Sequence, residues 1–415
     1  MPSLPHADEA GQRPGRSRTR VVLVLGLAQT LAWASSFYLP ALLAAPIAAE
    51  LGIAVSTVYL ALSGALVLSA CVSPWAGRWI DRHGGRGLLM ASSASFVAGL
   101  LLLAQAGTLW SLFLAWTVLG LAMGVGLYDA AFATLVRLYG REARQTITGI
   151  TLIAGFASTV GWPLTAWMDH EWGWRGACLG WALLHVVLGL PLNTWLPRSG
   201  SASSGRPHAD RADSEVSEAQ TQSPTPDRST APDSPAPQRQ VLLLVGIFAL
   251  LGFVSGAVTI HIPGLLQAAG LSLAAAVALA ALIGPSQVAA RLFEFGLLRR
   301  KSPLWTAKVT CGGHPLAVLL LLAAGAPVAF LFVILHGLGN GLLTIVRGTL
   351  PLMLFGAQGY GARLGWIALP GRLVGAISPW LFGLAIERWG LAALVLTALA
   401  SLCALALLFR LPEPR

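Results

Sequence analysis

Charge is what this sequence has least of. Only 11% of its 415 residues are Asp, Glu, Lys or Arg, where a soluble domain carries about a quarter. So few cannot cover the surface of a water-soluble globule of this size. Lysine is nearly missing, since every basic residue other than Lys301 and Lys308 is an arginine. Cysteine is scarce as well. Cys71, Cys178, Cys311 and Cys403 stand far apart, without metal-ligand spacing or a pairing pattern, and read as small apolar packing residues. A thiol site for a soft metalloid would require them to converge in space. No cluster of His, Cys or carboxylate residues of the kind an integral membrane enzyme needs is present, and no cofactor or metal motif is found.

What the chain does contain is apolar sequence: 55% of residues, with a mean hydropathy of +0.71. Long apolar runs broken by turn signals predict helices in a lipid bilayer, not the weakly alternating ten-residue strands of a barrel. The formal charge of +10 would suit nucleic acid. The arginines, however, lie mostly in short loops on one side of the predicted spans, where they set orientation. No nucleic-acid partner is expected.

The polar start, 1–20, carries Arg13, Arg16, Arg18 and Arg20 and is expected to stay cytoplasmic. It runs straight into a full-length span and lacks the pattern of a cleavable signal peptide. Six spans are predicted near 21–42, 55–78, 87–105, 109–138, 146–168 and 175–196. Residues 198–239 turn abruptly to Ser, Pro, Asp, Gln and Thr and cannot bury enough apolar surface to order themselves. They are expected to form a disordered cytoplasmic linker, a tether between domains. Six more spans follow near 240–267, 271–298, 303–324, 326–354, 361–385 and 390–410, with 412–415 as a short cytoplasmic tail. The domains expected are thus 21–197 and 240–411. Arg78, Arg82, Arg86, Arg141 and Arg144 in the first half, and Arg299, Arg300, Lys301 and Arg363 in the second, mark one common side.

The halves repeat. Gly120 pairs with Gly337, Gly140 with Gly356, Pro163 with Pro379 and Gly173 with Gly390, the offset holding within one residue. The fold class expected is all-α integral membrane, twelve helices in two pseudo-symmetric six-helix halves.

Between the second and third spans stands Gly77-Arg78-Trp79-Ile80-Asp81-Arg82-His83-Gly84-Gly85-Arg86. Gly77, Asp81, Arg82, Gly84 and Arg86 resemble the loop signature of the major facilitator superfamily. That resemblance covers the chain except its tail and linker, and it implies a secondary transporter with a substrate cavity between the halves. It also implies that Asp81 latches the cytoplasmic side, reaching the N-terminus of span 11 at Gly361 to Arg363 and a basic partner, Arg137 or Arg141. Gly77 and Gly84 would permit close helix approach and a tight turn. A plain positive-inside loop is the alternative.

Ionisable groups inside spans cost about 2.5–3.5 kcal/mol each on insertion scales and usually face a cavity. Asp129 in span 4 is the acidic candidate for proton coupling, against a structural ion pair with Arg137. Tyr128 beside it reads as packing. In span 8, Gln287, Arg291 and Glu294 form one polar stripe. Arg291 is the foremost anion-binding candidate, with Glu294 as a neutralising neighbour. Span 10 carries Asn340, Thr344 and Arg347 on one face. Two arginines on a common cavity suit a carboxylate or small oxyanion, which guanidinium holds in a bidentate fork; buried salt bridges to Asp129 and Glu294 are the alternative. Tyr38, with Trp33 and Ser36 in span 1, is a candidate for the cavity wall. His185, His261, His314 and His336 stand singly and read as packing or interface residues, His261 beside Pro263 being the best exception.

Ala154-Gly155-Phe156 and Trp172-Gly173-Trp174-Arg175 look like the monocarboxylate and oxalate/formate branch of the superfamily, which uses a span-8 arginine for its anion. The Gly-Pro pair of the drug/proton antiporter branch is interrupted here as Gly161-Trp162-Pro163. The expected activity is therefore proton-linked transport of a small organic anion by a monomer in a bacterial inner membrane. The alternatives are efflux of drugs or of arsenical or antimonial compounds and, in another class, a non-transporting receptor or sensor.

Overall fold

The computed structural model describes residues 14–140, 143–197, 238–296, 301–355 and 360–412. The expected linker 198–239 thus lies almost wholly outside the described residues, as do Arg13, Gly356, Arg299, Arg300 and the side chains of Arg16, Arg141, Arg144 and Gly361 to Arg363. Helices run through the rest. They are α1 (Pro14–Ala34), α2 (Pro40–Leu51), α3 (Val55–His83), α4 (Gly85–Ala104), α5 (Leu109–Gly126), α6 (Tyr128–Tyr139), α7 (Ala143–Ala154), α8 (Ala157–Leu184) and α9 (Leu190–Thr194). From residue 238 onwards come α10 (Gln238–Ala268), α11 (Leu273–Ala280), α12 (Ile283–Gly296), α13 (Pro303–Ala324), α14 (Ala329–Phe355), α15 (Tyr360–Trp389) and α16 (Leu394–Leu408).

Among the described residues, 9 stretches are long and apolar enough to cross a membrane. Gln145–Thr194, of 50 residues, and Trp366–Leu408, of 43, are long enough to cross twice at about 1.5 Å of rise per residue against a hydrocarbon core of about 30 Å. Each turns at a glycine with a positive φ, 68° at Gly173 and 54° at Gly390, a backbone that side-chain-bearing residues rarely adopt. These are the last pair of landmarks in the sequence repeat.

The first pair of landmarks, Gly120 and Gly337, has a packing cause. A Cβ on Gly120 would sit 2.7 Å from the Ala65 carbonyl oxygen, and Gly124 is pressed as closely against Ser69 and Val72, so α5 lies directly on α3. In the second half Gly337 meets Ser286 and Gly341 meets the Gln287 carbonyl oxygen at 2.6 Å, laying α14 on α12. Both are glycines four apart, the spacing that brings two helices into backbone contact in lipid.

Helices reach beyond the expected spans at the basic end. α1 starts at Pro14, inside the expected tail, and α10 at Gln238, inside the expected linker. The Arg18 and Arg20 guanidinium groups lie 5.4 and 5.6 Å from the Tyr139 and Trp195 ring centres, which keeps the charges at the helix end. Spans 1, 4, 5 and 8 are broken inside, at 35–39, at Leu127, at 155–156 and at 281–282. The carbonyl freed at Ala281 accepts from Thr159 Oγ1 at 2.7 Å, as a backbone group without water must.

The two halves share a core at one end only. Towards the end remote from the basic loops, Ile260 joins the core of the first half and Trp162 that of the second. At the basic end each half keeps its own: Val24, Ile80 and Leu135 in one cluster, Leu244, Leu304 and Leu350 in another. The remote end is sealed by polar contacts too. Ser56 N–H donates to Glu387 Oε1 at 2.7 Å, Trp380 N–H donates to Ser63 Oγ at 3.3 Å, and the Tyr59 ring lies 4.1 Å from that of His261.

Candidate functional site

On the basic side of that seal lie two connected recesses, of about 350 and 220 Å³, sharing Trp33, Phe37, Tyr128, Ser255 and Arg347. Together they have the size of a small-molecule site. The breaks in spans 1, 4 and 5 place Phe37, Tyr38, Leu127 and Gly155 on its wall, so the irregular backbone sits where a cavity tolerates it.

Asp129 lies in the first turn of α6, where the helix dipole favours a carboxylate. Its Oδ2 is 3.6 Å from Arg372 Nη1, on α15 of the other half; the side chains are 49% and 60% exposed, so the pair is reached from the cavity. The expected partner, Arg137, turns elsewhere, because it lies at the basic end of α6 and the 77–86 segment is nearer. Its Nη1 donates to the Asp81 carbonyl oxygen and its Nη2 to that of Arg82, the latter at 3.5 Å.

Arg291 Nη1 donates to the Thr151 carbonyl oxygen across the halves at 2.8 Å, and its buried Nε has no partner. Tyr38 and Tyr128 are both within electrostatic reach of it. Glu294 does not neutralise Arg291; one turn on, it leaves the cavity face and accepts from Thr306 Oγ1 at 3.4 Å. Gln287, Asn340, Thr344 and Arg347 line the recess with Arg291. Asn340 is held by Thr259 Oγ1 at 2.9 Å and by His336 Nε2 at 3.2 Å. Among the described residues Arg291 and Arg347 form no ion pair, so the expected alternative of salt bridges to Glu294 and Asp129 is not what the structure contains.

Tyr128, read as packing, faces both recesses, its ring 5.0 Å from Trp33 and stacked on Phe132 at 5.2 Å. The histidines are not all solitary: His314 and His336 have ring centres 5.4 Å apart. His185 bonds to Ser35 at 2.7 Å, and His261 to the Ala257 carbonyl oxygen at 2.7 Å.

The signature segment is helix where a loop was expected. Nothing between Gly77 and His83 breaks α3, and the turn into α4 shrinks to Gly84, at φ 86°. A Cβ on Gly77 would meet nothing within 4 Å, so no close approach occurs there. Gly85, next to Gly84 and not singled out from the sequence, is the one pressed against Thr134. The Asp81 carboxylate is exposed and makes no ion pair among the described residues; Arg82 is exposed and Arg86 half-buried. Arg372 was legible but passed over, being an ionisable residue within an apolar run.

Two helical halves, packed at one end and parted around a charged cavity at the other, define a polytopic membrane transporter. The profile of the Major Facilitator Superfamily matches residues 25–332, and the chain belongs to that superfamily. Among solved structures, a bacterial homolog of the human lysosomal transporter Spinster, inward-facing and occupied, superposes with a TM-score of 0.69 at 14% identity, covering 96% of this chain and 97% of that one. The inward-facing, unoccupied form gives 0.63 at 14%, with 96% of each chain covered. At that identity the likeness is one of fold. Two curated relatives, the Multidrug resistance protein B homolog of Mycobacterium tuberculosis strains CDC 1551 / Oshkosh and ATCC 25618 / H37Rv, are each 32% identical over 128 residues. That match takes in 31% of this chain and about a quarter, 24%, of the relative's length.

Proposed function

We propose that the chain transports a small organic anion across a bacterial inner membrane by alternating access, with Asp129 coupling the movement to protons. One observation carries the reading: Arg291 and Arg347 line one cavity at the interface of the halves, and among the described residues neither is in an ion pair. Gln287, Asn340 and Tyr38 orient the substrate beside them. Asp129 pairs with Arg372 across the same interface, so protonating the carboxylate releases one half from the other. Gly77, Asp81, Arg82, Gly84 and Arg86 belong to the gate at the basic end, which holds both termini on the cytoplasmic side. The protein works as a monomeric symporter, with the solute and the proton as its partners.

Uptake of radiolabelled carboxylates into proteoliposomes, with and without a pH gradient, tests this. Accumulation that follows the gradient supports it, and no carboxylate uptake by Arg291-intact protein refutes it. Drug efflux is the second reading, supported by the multidrug-resistance relatives; it requires export of organic cations or neutral compounds by the same liposomes.

A further inference from the structure

The two recesses are chemically divided between the halves. Among the described residues, every aromatic ring on their walls, Trp33, Phe37, Tyr38 and Tyr128, comes from the first half, and every cation, Arg291, Arg347 and Arg372, from the second. Among the same residues one acid, Asp129, faces them, and it is taken by Arg372. Among the described residues Arg291 hydrogen-bonds to a neutral carbonyl alone and retains a buried, unpartnered Nε. Arg347 lines both recesses and lies within electrostatic reach of Arg372, a like charge. The described cavity therefore holds two guanidinium charges more than it neutralises.

Building on the anion reading above, we infer that the substrate is a dianion with a flat apolar body, rings against the first half and two negative groups on Arg291 and Arg347. A monocarboxylate would leave one of the half-buried guanidinium groups without a counter-charge. Such a ligand also bridges the halves, touching one through stacking and the other through charge-assisted hydrogen bonds. Binding would then act on the same interface that must rearrange for transport.

The test uses purified full-length protein in nanodiscs, titrated calorimetrically at neutral pH with phthalate, benzoate and ethidium. Phthalate should bind roughly tenfold tighter than benzoate or better, the increment of one more charge-assisted contact. In Arg291→Gln and in Arg347→Gln that ratio should fall towards one, and because it is a ratio within one variant, a general loss of affinity does not mimic it. Should either variant fail to fold, the wild-type ratio still decides. Benzoate binding as tightly as phthalate overturns the dianion and leaves the organic-anion reading standing. Ethidium binding where both anions fail overturns both.

Discussion

The Glu387 carboxylate, at the last turns of α15, accepts the backbone N–H of Ser56 in the opening turn of α3, at 2.7 Å. An acid of one half thus caps a helix of the other, satisfying a donor the helix cannot use. The superfamily resemblance leads one to expect the same arrangement reversed at the basic end, with Asp81 at the end of α3 facing the start of α15. The same two antiparallel helices would carry a latch at each end, and the structure has the remote one engaged.

Glu387→Ala should loosen the remote seal. Loss of a charge-assisted bond costs about 1.5–3 kcal/mol, enough to shift the two-state population roughly tenfold or more. Spin labels at Leu51 and Arg388, in a cysteine-free background, should report a longer or bimodal distance. An unchanged distribution would count against the latch.

Asp129→Asn removes the charge that holds Arg372 across the halves. Downhill exchange should persist while a pH gradient no longer drives accumulation. A variant that still concentrates substrate against the gradient would remove Asp129 from coupling.

Arg137→Gln and Asp81→Asn should separate. Arg137 binds the Asp81 and Arg82 carbonyl oxygens, so its loss should lower stability by about 1–2 kcal/mol. The exposed Asp81 side chain forms no ion pair among the described residues, so Asp81→Asn should change stability by less than about 0.5 kcal/mol and instead slow cycling more than binding. Thermal unfolding and transport rates read the two effects, and equal losses of stability would contradict the assignment.

Gly85→Ala and Gly77→Ala should separate as well. The first drives a methyl into Thr134, the second into open space. Overpacking costs about 1–3 kcal/mol, so the first should melt markedly earlier in detergent, while the second, which trades a helix-interior glycine for alanine, should melt with the parent or slightly later. Two equal melting curves would show that the turn relaxes freely.

Much of this was legible in the sequence because lipid imposes few solutions. Apolar runs had to be helices, and the Gly120 and Gly337 landmarks marked where α5 meets α3 and α14 meets α12. Arg291, Arg347, Gln287, Asn340 and Tyr38 lie on one cavity wall because an ionisable or amphipathic group in a span has few other places to go. What the sequence hid was direction. Nothing in the spacing of Asp129 says that it reaches Arg372 on α15 rather than Arg137 on its own helix. Tyr128 looked like packing because the break at Leu127, which turns it inward, leaves no Pro or Gly at that position. Of the two basic partners expected for Asp81, Arg137 reaches it, through the backbone carbonyl oxygen.

The lopsided core carries a thermal consequence. Tyr59, His261 and Trp162 clasp the halves through apolar contact, while at the opposite end each half packs on a core of its own. Apolar association weakens on cooling, so chilling should favour whichever pose parts the clasp. Temperature would then act on this protein as a lever on which way it faces.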